Sequence, residues 1–313
     1  MRIDLVTPVR YGSRSGNGVT ARRYARLLRE LGHRVRTLSE WGDGRADALV
    51  ALHARKSHDS IERFHALRPR APIVVVLTGT DLYLDLPRSA RTRRSLDLAD
   101  RLVVLQPLAL RALPARHRRK ATVIVQSVPR LAAAPRARSF EVCVVGHLRP
   151  VKDPLRPALA VRSLPPEARL RVTHIGGSLS PALARRARVE ERRNPRYRWL
   201  GERPRAETLR RLAASQALVL PSLAEGGANV VSEAIAAGIP VLASRIPGSV
   251  GLLGPRHPGY FPAGDTRALR ALLRRLEHDE RFRARLAARS RALRPIVRPA
   301  RERAAWRKLL AGL

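Results

Sequence analysis

Two glutamates that flank a pair of glycines are the residues of this chain whose types and spacing are best suited to chemistry. An apolar run leads to Glu225, Gly226 and Gly227, and Glu233 lies in the apolar-periodic segment that follows. This pattern predicts a strand, a turn and the N-terminus of a helix. A helix N-terminus offers unpaired N–H groups and the positive end of its dipole, and glycine allows a close approach, so we expect a phosphate group there.

The two carboxylates predict a second kind of ligand group at the same turn. Glu225 precedes the predicted helix and Glu233 lies in its first turns, so both could face one ligand. Carboxylates are poor ligands for phosphate but good acceptors for hydroxyl groups. The residues therefore predict a ligand with both phosphate and hydroxyl groups, namely a nucleotide sugar. An isolated pair would be better interpreted as a solvated turn residue and a helix-surface residue, but the glycines and the strand–helix pattern favour a site.

Short apolar runs alternate with amphipathic segments along the chain, which is typical of parallel, doubly wound sheets. The predicted strands are 3–6, 34–38, 48–52, 73–77, 102–105 and 123–125, and then 142–145, 170–175, 197–200, 217–220 and 241–243. We expect an α/β protein with two Rossmann-like domains, 1–135 and 139–298, that face each other across a ligand-binding cleft. An aperiodic linker near 129–139 separates them. The tail 299–313 has apolar residues at helical spacing and is predicted to pack back on the first domain.

The composition narrows the function classes. The chain has 313 residues and a formal net charge of +37, from 62 Lys and Arg against 25 Asp and Glu, which first suggests a nucleic-acid binder. Arginine is spread through every predicted helix and forms no aromatic-interleaved strip, so a general arginine bias explains the charge better. The surface should still favour anionic ligands. The single cysteine, Cys143, lies in an apolar run, which predicts a buried thiol rather than a disulfide or a metal ligand.

The remaining sequence features point to small-molecule partners. No apolar run approaches membrane-spanning length and the N-terminus lacks a signal-peptide pattern, so the cytoplasm is the default compartment. The histidines show no metal-ligand spacing, and no metal or other cofactor is expected. We therefore expect neither a nucleic-acid nor a membrane partner.

A glycine-containing segment after the first predicted strand is the second candidate site. Its glycines could form a concavity of backbone N–H donors, and arginines crowd the N-terminal end of the helix that follows. Cations there oppose the helix dipole by a few tenths of a kcal/mol each, a cost that a bound anion would reverse. The candidate anion-binding residues are Arg14, Gly16, Asn17, Gly18, Thr20 and Arg23. The alternative is a mobile glycine loop with solvated arginines.

Other polar residues follow predicted strands, where the ligand-binding residues of doubly wound sheets lie. His53 could orient a substrate oxygen or act as an acid or base, and a helix-cap partner is an equally good interpretation. Asp81 could serve chemistry or simply cap the turn that follows it. Arg149 and Lys152 could reach a diphosphate and stabilise it as a leaving group. Lys152 is the stronger signal because the chain has only four lysines.

The segment from Glu225 to Glu233, followed by EAIAAGIPVLAS, resembles the E-x7-E region of the GT-B glycosyltransferases of the family 4 type. GHLRPVKD resembles that family's G-R-L-x-x-x-K-G, and ADRLVVL and LVLPS fall in the expected places, so the similarity covers nearly the whole chain. The resemblance implies that Glu233 accepts ribose hydroxyls and that Glu225 contacts the donor sugar. The residues implied to hold the donor are Arg149, Lys152, Glu225, Gly226, Gly227, Ala228, Asn229 and Glu233.

Three departures from that family's pattern bear on the site. His147 stands where the family usually has an arginine for the diphosphate, which leaves Arg149 as a substitute. Thr78 stands where many members have a histidine. The segment SRIPGSVGLLG lacks the glutamate usual in that family's next loop.

Together, these departures resemble a narrower group, the selenosugar synthases of selenoneine biosynthesis (SenB-type). The segments that carry this resemblance are GNGVTARRYARLLRELGH, ALHARKS, LTGTDLY, VGHLRPVKDPLR and IPGSVGLLG. It implies transfer of selenium from selenophosphate to the anomeric carbon of a UDP-sugar, either UDP-N-acetylglucosamine or UDP-glucose, with release of UDP and phosphate. The candidate catalytic residues are His53, Asp81, Lys152 and Glu225. The resemblance also implies functional coupling to other selenoneine pathway enzymes.

Two other functions stay open. One is a GT-B glycosyltransferase with a sugar, lipid or other acceptor. The other is a non-catalytic polyanion or nucleic-acid binder, which would bind DNA with a steep salt dependence and turn over no sugar donor. The segment around Gly16 favours a small, highly charged acceptor, because such an acceptor needs an anion site of its own.

Overall fold

The three-dimensional structure is a computed structural model that describes residues 1–9, 13, 15–131, 134 and 139–313. It divides into two compact units. Unit 1 comprises Met1–Ser127, Glu225–Ala228 and Pro299–Leu313, and unit 2 comprises Val128–Ala224 and Asn229–Arg298. The predicted linker at 129–139 lies partly outside the described residues.

Strands and helices alternate through both units. The strands are β1 (Arg2–Val6), β2 (Arg34–Leu38), β3 (Ala48–Leu52), β4 (Ile73–Leu77), β5 (Arg101–Val104), β6 (Ala121–Val123), β7 (Phe140–Val145), β8 (Leu170–Ile175), β9 (Tyr197–Trp199), β10 (Ala217–Leu220), β11 (Val241–Ser244) and β12 (Tyr260–Phe261). The α-helices are α1 (Gly16–Glu30), α2 (His58–Leu67), α3 (Ala90–Leu98), α4 (Ala115–Arg118), α5 (Arg156–Arg162), α6 (Pro181–Arg193), α7 (Arg205–Ala214), α8 (Asn229–Ala237), α9 (Pro247–Leu253), α10 (Thr266–His278), α11 (Glu280–Leu293) and α12 (Pro299–Ala311).

Unit 1 is built on a six-stranded parallel sheet with the order β2-β1-β3-β4-β5-β6. Alternate side chains of a strand point to opposite faces, so a sheet with apolar runs must be covered on both sides. Val50 and Leu52 lie in a core with Tyr24 of α1 and Trp306 of α12, whereas Leu49 lies in the opposite core with residues of α2 and α3. The rings of Tyr24 and Trp306 meet edge to face with centroids 4.8 Å apart, so α12 packs on this unit.

Unit 2 is built on a second six-stranded parallel sheet, with the order β12-β11-β10-β7-β8-β9. Counted along this unit, the order is that of a Rossmann sheet, in which the direction of winding reverses between the first and fourth strands. Those strands are β7 and β10. The core contains strand residues together with Ala158 of α5, Ala187 of α6, Leu273 of α10 and Leu286 of α11.

The structure confirms the predicted doubly wound α/β architecture, and all eleven predicted strands are present. The strand predicted at 123–125 begins earlier, at Ala121, because its pairing with β5 starts there. The sequence did not predict β12, which is two residues long and too short to show a periodicity. None of the helices in the described part of the chain combines the length and apolar character that crossing a membrane requires.

Candidate functional site

The strand order of unit 2 identifies the edge of its sheet where a ligand is expected. In open α/β sheets, ligands bind outside the carboxyl ends of the strands at the point where the strand order reverses. In this unit β7 and β10 are hydrogen-bonded neighbours at that point. The loop after β7 carries Arg149 and Lys152, and the chain after β10 leads to α8 with Asn229 and Glu233.

The loop after β7 presents Lys152 on a short 3₁₀ turn, Pro150–Lys152. The turn is closed by hydrogen bonds from Lys152 N to Arg149 O (3.0 Å) and from Asp153 N to Pro150 O (3.0 Å). Asp153 ends the turn in the left-handed conformation, with φ +43°. The guanidinium group of Arg156 binds the carboxylate of Asp153 through Nε–Oδ2 (2.7 Å) and Nη2–Oδ1 (3.3 Å) hydrogen bonds. This side-chain pair restrains the backbone that follows Lys152.

Backbone hydrogen bonds join this loop to its neighbours at the same edge of the sheet. Leu223, which follows β10, donates its N–H to Val151 O at 2.8 Å, and Leu148 donates to Gly177 O at 2.8 Å. Leu148 also forms an isolated parallel bridge with Ser178. The turn that carries Lys152 is therefore tied to the loops after β8 and β10.

A buried histidine supports the first residue of the loop after β7. His174 Nε2 lies 2.9 Å from Gly146 O, and its Nδ1 lies 3.1 Å from Tyr197 Oη. Burial lowers the pKa of His174 to about 4. The neutral ring thus donates from Nε2 to the carbonyl and accepts at Nδ1 from the tyrosine hydroxyl.

Glu233 is a buried carboxylate on α8, with a side chain only 5% exposed. Asn229 begins the helix four residues earlier, so the two side chains lie on the same face, about 6 Å apart along the helix axis. The carboxylate forms an ion pair with Arg205, the first residue of α7, at 2.8 Å between Nη1 and Oε1. The alternative interpretation of Glu233 as a helix-surface residue is therefore wrong.

In unit 1, Asp81 holds together the turns that follow β3 and β4. Its carboxylate is fully buried. Oδ1 accepts from Gly79 N (2.8 Å), Thr78 N (2.9 Å) and Leu82 N (3.1 Å), and Oδ2 accepts from Ala54 N (3.0 Å). This arrangement matches the turn-capping interpretation of Asp81. Any effect of Asp81 on chemistry would act through the groups that it positions.

His53 lies beside Asp81 in the same unit. It is buried and adopts φ +70°, a conformation that few non-glycine residues take. Its Nδ1 accepts from Lys56 N at 3.4 Å, and its Nε2 lies 3.0 Å from Thr80 Oγ1. The Nδ1 atom is also 4.0 Å from Asp81 Oδ2. The ring is therefore oriented by backbone and side-chain groups on both of its nitrogens.

Glu225–Ala228 belongs to unit 1 although the helix that follows it, α8, belongs to unit 2. Glu225 is 7% exposed and Ala228 is equally buried, so the alternative interpretation of Glu225 as a solvated turn residue is wrong. A Cβ on Gly226 would lie 2.6 Å from Thr78 O, and a Cβ on Gly79 would lie 2.4 Å from Gly226 N. The two turns approach so closely that each requires glycine.

Gly227 makes a similar approach to the end of β5, where an added Cβ would lie 2.7 Å from Leu105 Cβ. The glycine pair after Glu225 is thus explained by backbone packing within unit 1. The assignment of Gly226 and Gly227 to a donor stays a prediction.

The predicted loop over 16–18 is wrong in its conformation, because α1 already begins at Gly16. Ser15 caps the helix, and its Oγ accepts from Gly18 N at 3.3 Å. Asn17 is half-buried in the first turn, and the glycine at 18 is required because an added Cβ would lie 2.2 Å from Ser13 O. The assignment of these N–H groups to an anion stays a prediction, and Arg14 lies outside the described residues.

The other two candidates near this helix serve contacts within unit 1. Thr20 neither caps nor begins α1 but lies inside it, where its Oγ1 accepts from Gln126 Nε2 at 2.9 Å. Arg23 is buried and pairs with Glu302 of α12, at 3.3 Å between Nε and Oε1. Glu302 also accepts from Ser127 N at 3.0 Å, so Arg23 belongs to a network that fastens α12 to α1.

Comparison with protein families identifies the family of this chain. The glycosyl transferases group 1 family matches residues 132–293, which is more than half of the chain. The chain belongs to this family. No curated protein matches it.

Solved structures show that this glycosyl transferase group 1 chain has the GT-B fold. HepE of Anabaena in complex with UDP-glucose has a TM-score of 0.80 at 16% identity, and sucrose-phosphate synthase of Thermosynechococcus elongatus has a TM-score of 0.78 at 17% identity. In both cases the alignment covers 100% of each chain. A protein described as trehalose-6-phosphate from E. coli, bound with UDP-2-fluoro glucose, has a TM-score of 0.76 at 12% identity and covers 100% of this chain and 98% of its own.

Sequence reasoning missed Arg205, which forms an ion pair with Glu233. In a chain with 62 basic residues, a single arginine carries little signal. A usable signal was present: Arg205 follows Pro204 at a helix start, where the dipole disfavours a cation. Among the described residues, no group of three His, Cys, Asp or Glu side chains is arranged to hold a metal ion.

Proposed function

We propose that the chain is a glycosyltransferase that takes a UDP-sugar as its donor. The observation that carries the proposal is the edge of unit 2 where β7 and β10 meet, with Lys152 on one loop and a buried carboxylate, Glu233, on the helix of the other. Group 1 family membership supports transferase activity. The similar HepE of Anabaena has been solved with UDP-glucose and with UDP and glucose, which supports the choice of UDP.

The arrangement of α8 fits a nucleoside diphosphate. The positive dipole end of the helix favours a phosphate near Asn229. Glu233 lies one turn further on the same face, and its carboxylate suits the two ribose hydroxyls.

In the proposed reaction, Lys152 and Arg149 stabilise the diphosphate as it leaves. The bond between the anomeric carbon and the diphosphate oxygen breaks with that oxygen gaining negative charge, and a fixed cation lowers the energy of this state. The ammonium group is suited to the task because its turn is pinned by the Asp153–Arg156 pair and by the hydrogen bond between Val151 and Leu223.

The groups of unit 1 take the remaining roles in the proposal. Glu225 accepts hydroxyls of the donor sugar, and the neighbouring backbone of Gly226, Gly227 and Ala228 assists. His53 contacts the reacting groups, and Asp81 acts as the residue that positions the turn before it. The N-terminus of α1, with Gly16 as its first residue, binds an anionic acceptor.

For the acceptor we propose selenophosphate, which makes the chain a selenosugar synthase. Selenium forms a bond to the anomeric carbon as the bond to UDP breaks, and water then cleaves the selenium–phosphorus bond to release phosphate. The support is the glycine-containing N-terminus of α1, whose positive dipole end favours a small anion. An ordinary sugar or lipid acceptor is the alternative.

The direct test incubates the chain with selenophosphate and either UDP-glucose or UDP-N-acetylglucosamine, and detects UDP release and a selenium-containing sugar by mass spectrometry. Release of UDP with a sugar or lipid acceptor but never with selenophosphate would overturn the selenium assignment alone. Steeply salt-dependent DNA binding without donor turnover would overturn the transferase proposal.

Two variants test the donor site, with an exposed lysine as control. Glu233→Gln should raise the donor KM about tenfold or more, because a hydrogen bond to a charged group contributes about 1.5–3 kcal/mol. Lys152→Met should lower kcat/KM through loss of charge stabilisation at the leaving group. Lys308→Met, on the exposed surface of α12, should leave both constants unchanged. Wild-type kinetics in either site variant would contradict its assigned role.

A further inference from the structure

The ion pair between Arg205 and Glu233 is uneven in its exposure. The glutamate side chain is 5% exposed, whereas the arginine side chain is 45% exposed. A buried carboxylate without a partner is costly, and the half-exposed Arg205 supplies a partner here. The ion pair therefore stabilises a buried carboxylate at the edge of unit 2 where a ligand is expected.

The position of Arg205 on its own helix is unfavourable. It is the first residue of α7, and a cation at a helix N-terminus opposes the dipole. A glutamate in the same turn, Glu207, pairs with Arg211 at 2.9 Å rather than with Arg205. Local helix electrostatics thus give no reason for an arginine at this position, whereas its contact with Glu233 does.

The contact also fixes the orientation of the carboxylate. Arg205 Nη1 lies 2.8 Å from Oε1, and this ion pair restrains rotation of the carboxylate about its terminal bond. An ionised carboxylate has about four lone-pair sites, so an ion pair at one oxygen leaves room for two hydroxyl donors. An oriented acceptor loses less entropy when it binds a vicinal diol than a rotating one does.

We propose that Arg205 is the positioning residue for ribose recognition: it orients Glu233 so that the carboxylate accepts from both ribose hydroxyls of the donor. The inference rests on the proposed use of a UDP-sugar. It adds a specificity determinant that acts through Glu233 and does not itself take part in the transfer. Its effect should appear in nucleotide affinity and KM, and not in kcat.

The test measures binding of UDP and of 2′-deoxy-UDP by calorimetry. The proteins are wild type, Arg205→Gln, Arg205→Lys and Glu233→Gln, with Arg210→Gln as the matched control because Arg210 is an exposed arginine on the same helix. Wild type should prefer UDP about tenfold or more, since the deoxy analogue lacks one hydrogen bond to a charged group. Arg205→Gln should weaken UDP binding about tenfold and shrink that preference. Arg205→Lys should restore part of it, and Arg210→Gln should match wild type.

Each contrary result has a distinct meaning. If wild type binds UDP and Arg205→Gln binds it equally well or more tightly, the positioning role is overturned while the proposed function stands. An equal loss of affinity for UDP and 2′-deoxy-UDP in Arg205→Gln also overturns the inference, since a purely structural role predicts that outcome. A wild-type protein that binds no UDP overturns the proposed function and the inference together.

Discussion

Two buried histidines in unit 2 predict that the chain loses stability below neutral pH. Burial lowers the pKa of His174 and of His257 to about 4 each, from the ordinary value of 6.5. The unfolded chain therefore binds a proton at a pH where the folded chain does not. The sign follows: the full stability is present above pH 6.5 and is lost as the pH falls from 6.5 toward 4.

The contacts of the two rings explain why protonation is resisted. His257 Nε2 lies 2.8 Å from Val241 O, and its Nδ1 is buried with no hydrogen-bond partner among the described residues. A proton on that nitrogen would be a buried, unpaired charge, and the nearby Arg289 would repel it. In His174, a proton on Nδ1 would displace the hydrogen bond that the ring accepts from Tyr197.

The magnitude follows from the two pKa values. Between pH 7 and pH 5, a group that titrates at 6.5 when unfolded and at about 4 when folded costs about 2 kcal/mol of unfolding free energy. Two such groups together cost about 4 kcal/mol, which is a large share of the stability of an ordinary domain.

Urea unfolding at pH 7, 6 and 5, followed by far-UV circular dichroism, measures this loss. His174→Gln and His257→Gln should each lose about 2 kcal/mol less than wild type over that range, because glutamine donates to the same carbonyl and does not titrate. His65→Gln, at an exposed site on α2, should keep the wild-type pH dependence. An unfolding free energy that is constant from pH 7 to 5, or a loss unchanged in both glutamine variants, would refute the reasoning.

Three further predictions concern the packing around the candidate site. Gly79→Ala should cost about 1–3 kcal/mol of unfolding free energy, because φ is +131° and the new Cβ would lie 2.4 Å from Gly226 N; an unchanged urea midpoint would contradict the close approach. Gly18→Ala should be more destabilising than Gly16→Ala, since only the former Cβ meets a backbone oxygen, at 2.2 Å, and equal midpoints would count against it. Cys143 is fully buried with its pKa raised to about 12 by burial, so it should resist thiol reagents until urea unfolds the chain; rapid labelling of the folded protein would exclude this burial.

The sequence predicted the fold well because the strands are buried on both faces. Such strands are continuous apolar runs, as in 48–52 and 73–77, and the alternation with helices specifies a parallel sheet. The apolar runs do not predict the order of the strands in each sheet, because that order depends on which strands pair with each other. That order placed the candidate edge of unit 2 at β7 and β10.

The sequence predicted which residues form the candidate site, but it did not predict which side chains contact them. Glu225 and Glu233 stood out because of their spacing around two glycines, and the structure shows both carboxylates buried. Two glycines explained at first by a ligand are also explained by packing, since Gly226 meets the turn at Gly79. Arg205 could not be selected, because its contact with Glu233 depends on how α7 lies beside α8 and not on any local pattern.

Asp153 shows how a departure from a family pattern can preserve geometry. The resembling motif ends in glycine after its lysine, and glycine is the residue that adopts a left-handed conformation at little cost. Here Asp153 adopts that conformation, with φ +43°, and aspartate is among the few other residues that tolerate it. Its carboxylate is held by Arg156, which also donates to Thr266 Oγ1 at 2.7 Å. This position therefore requires a residue that tolerates the left-handed conformation, because the chain turns there after Lys152. The contacts of Arg156 with Asp153 and Thr266 then restrain the conformation of the turn.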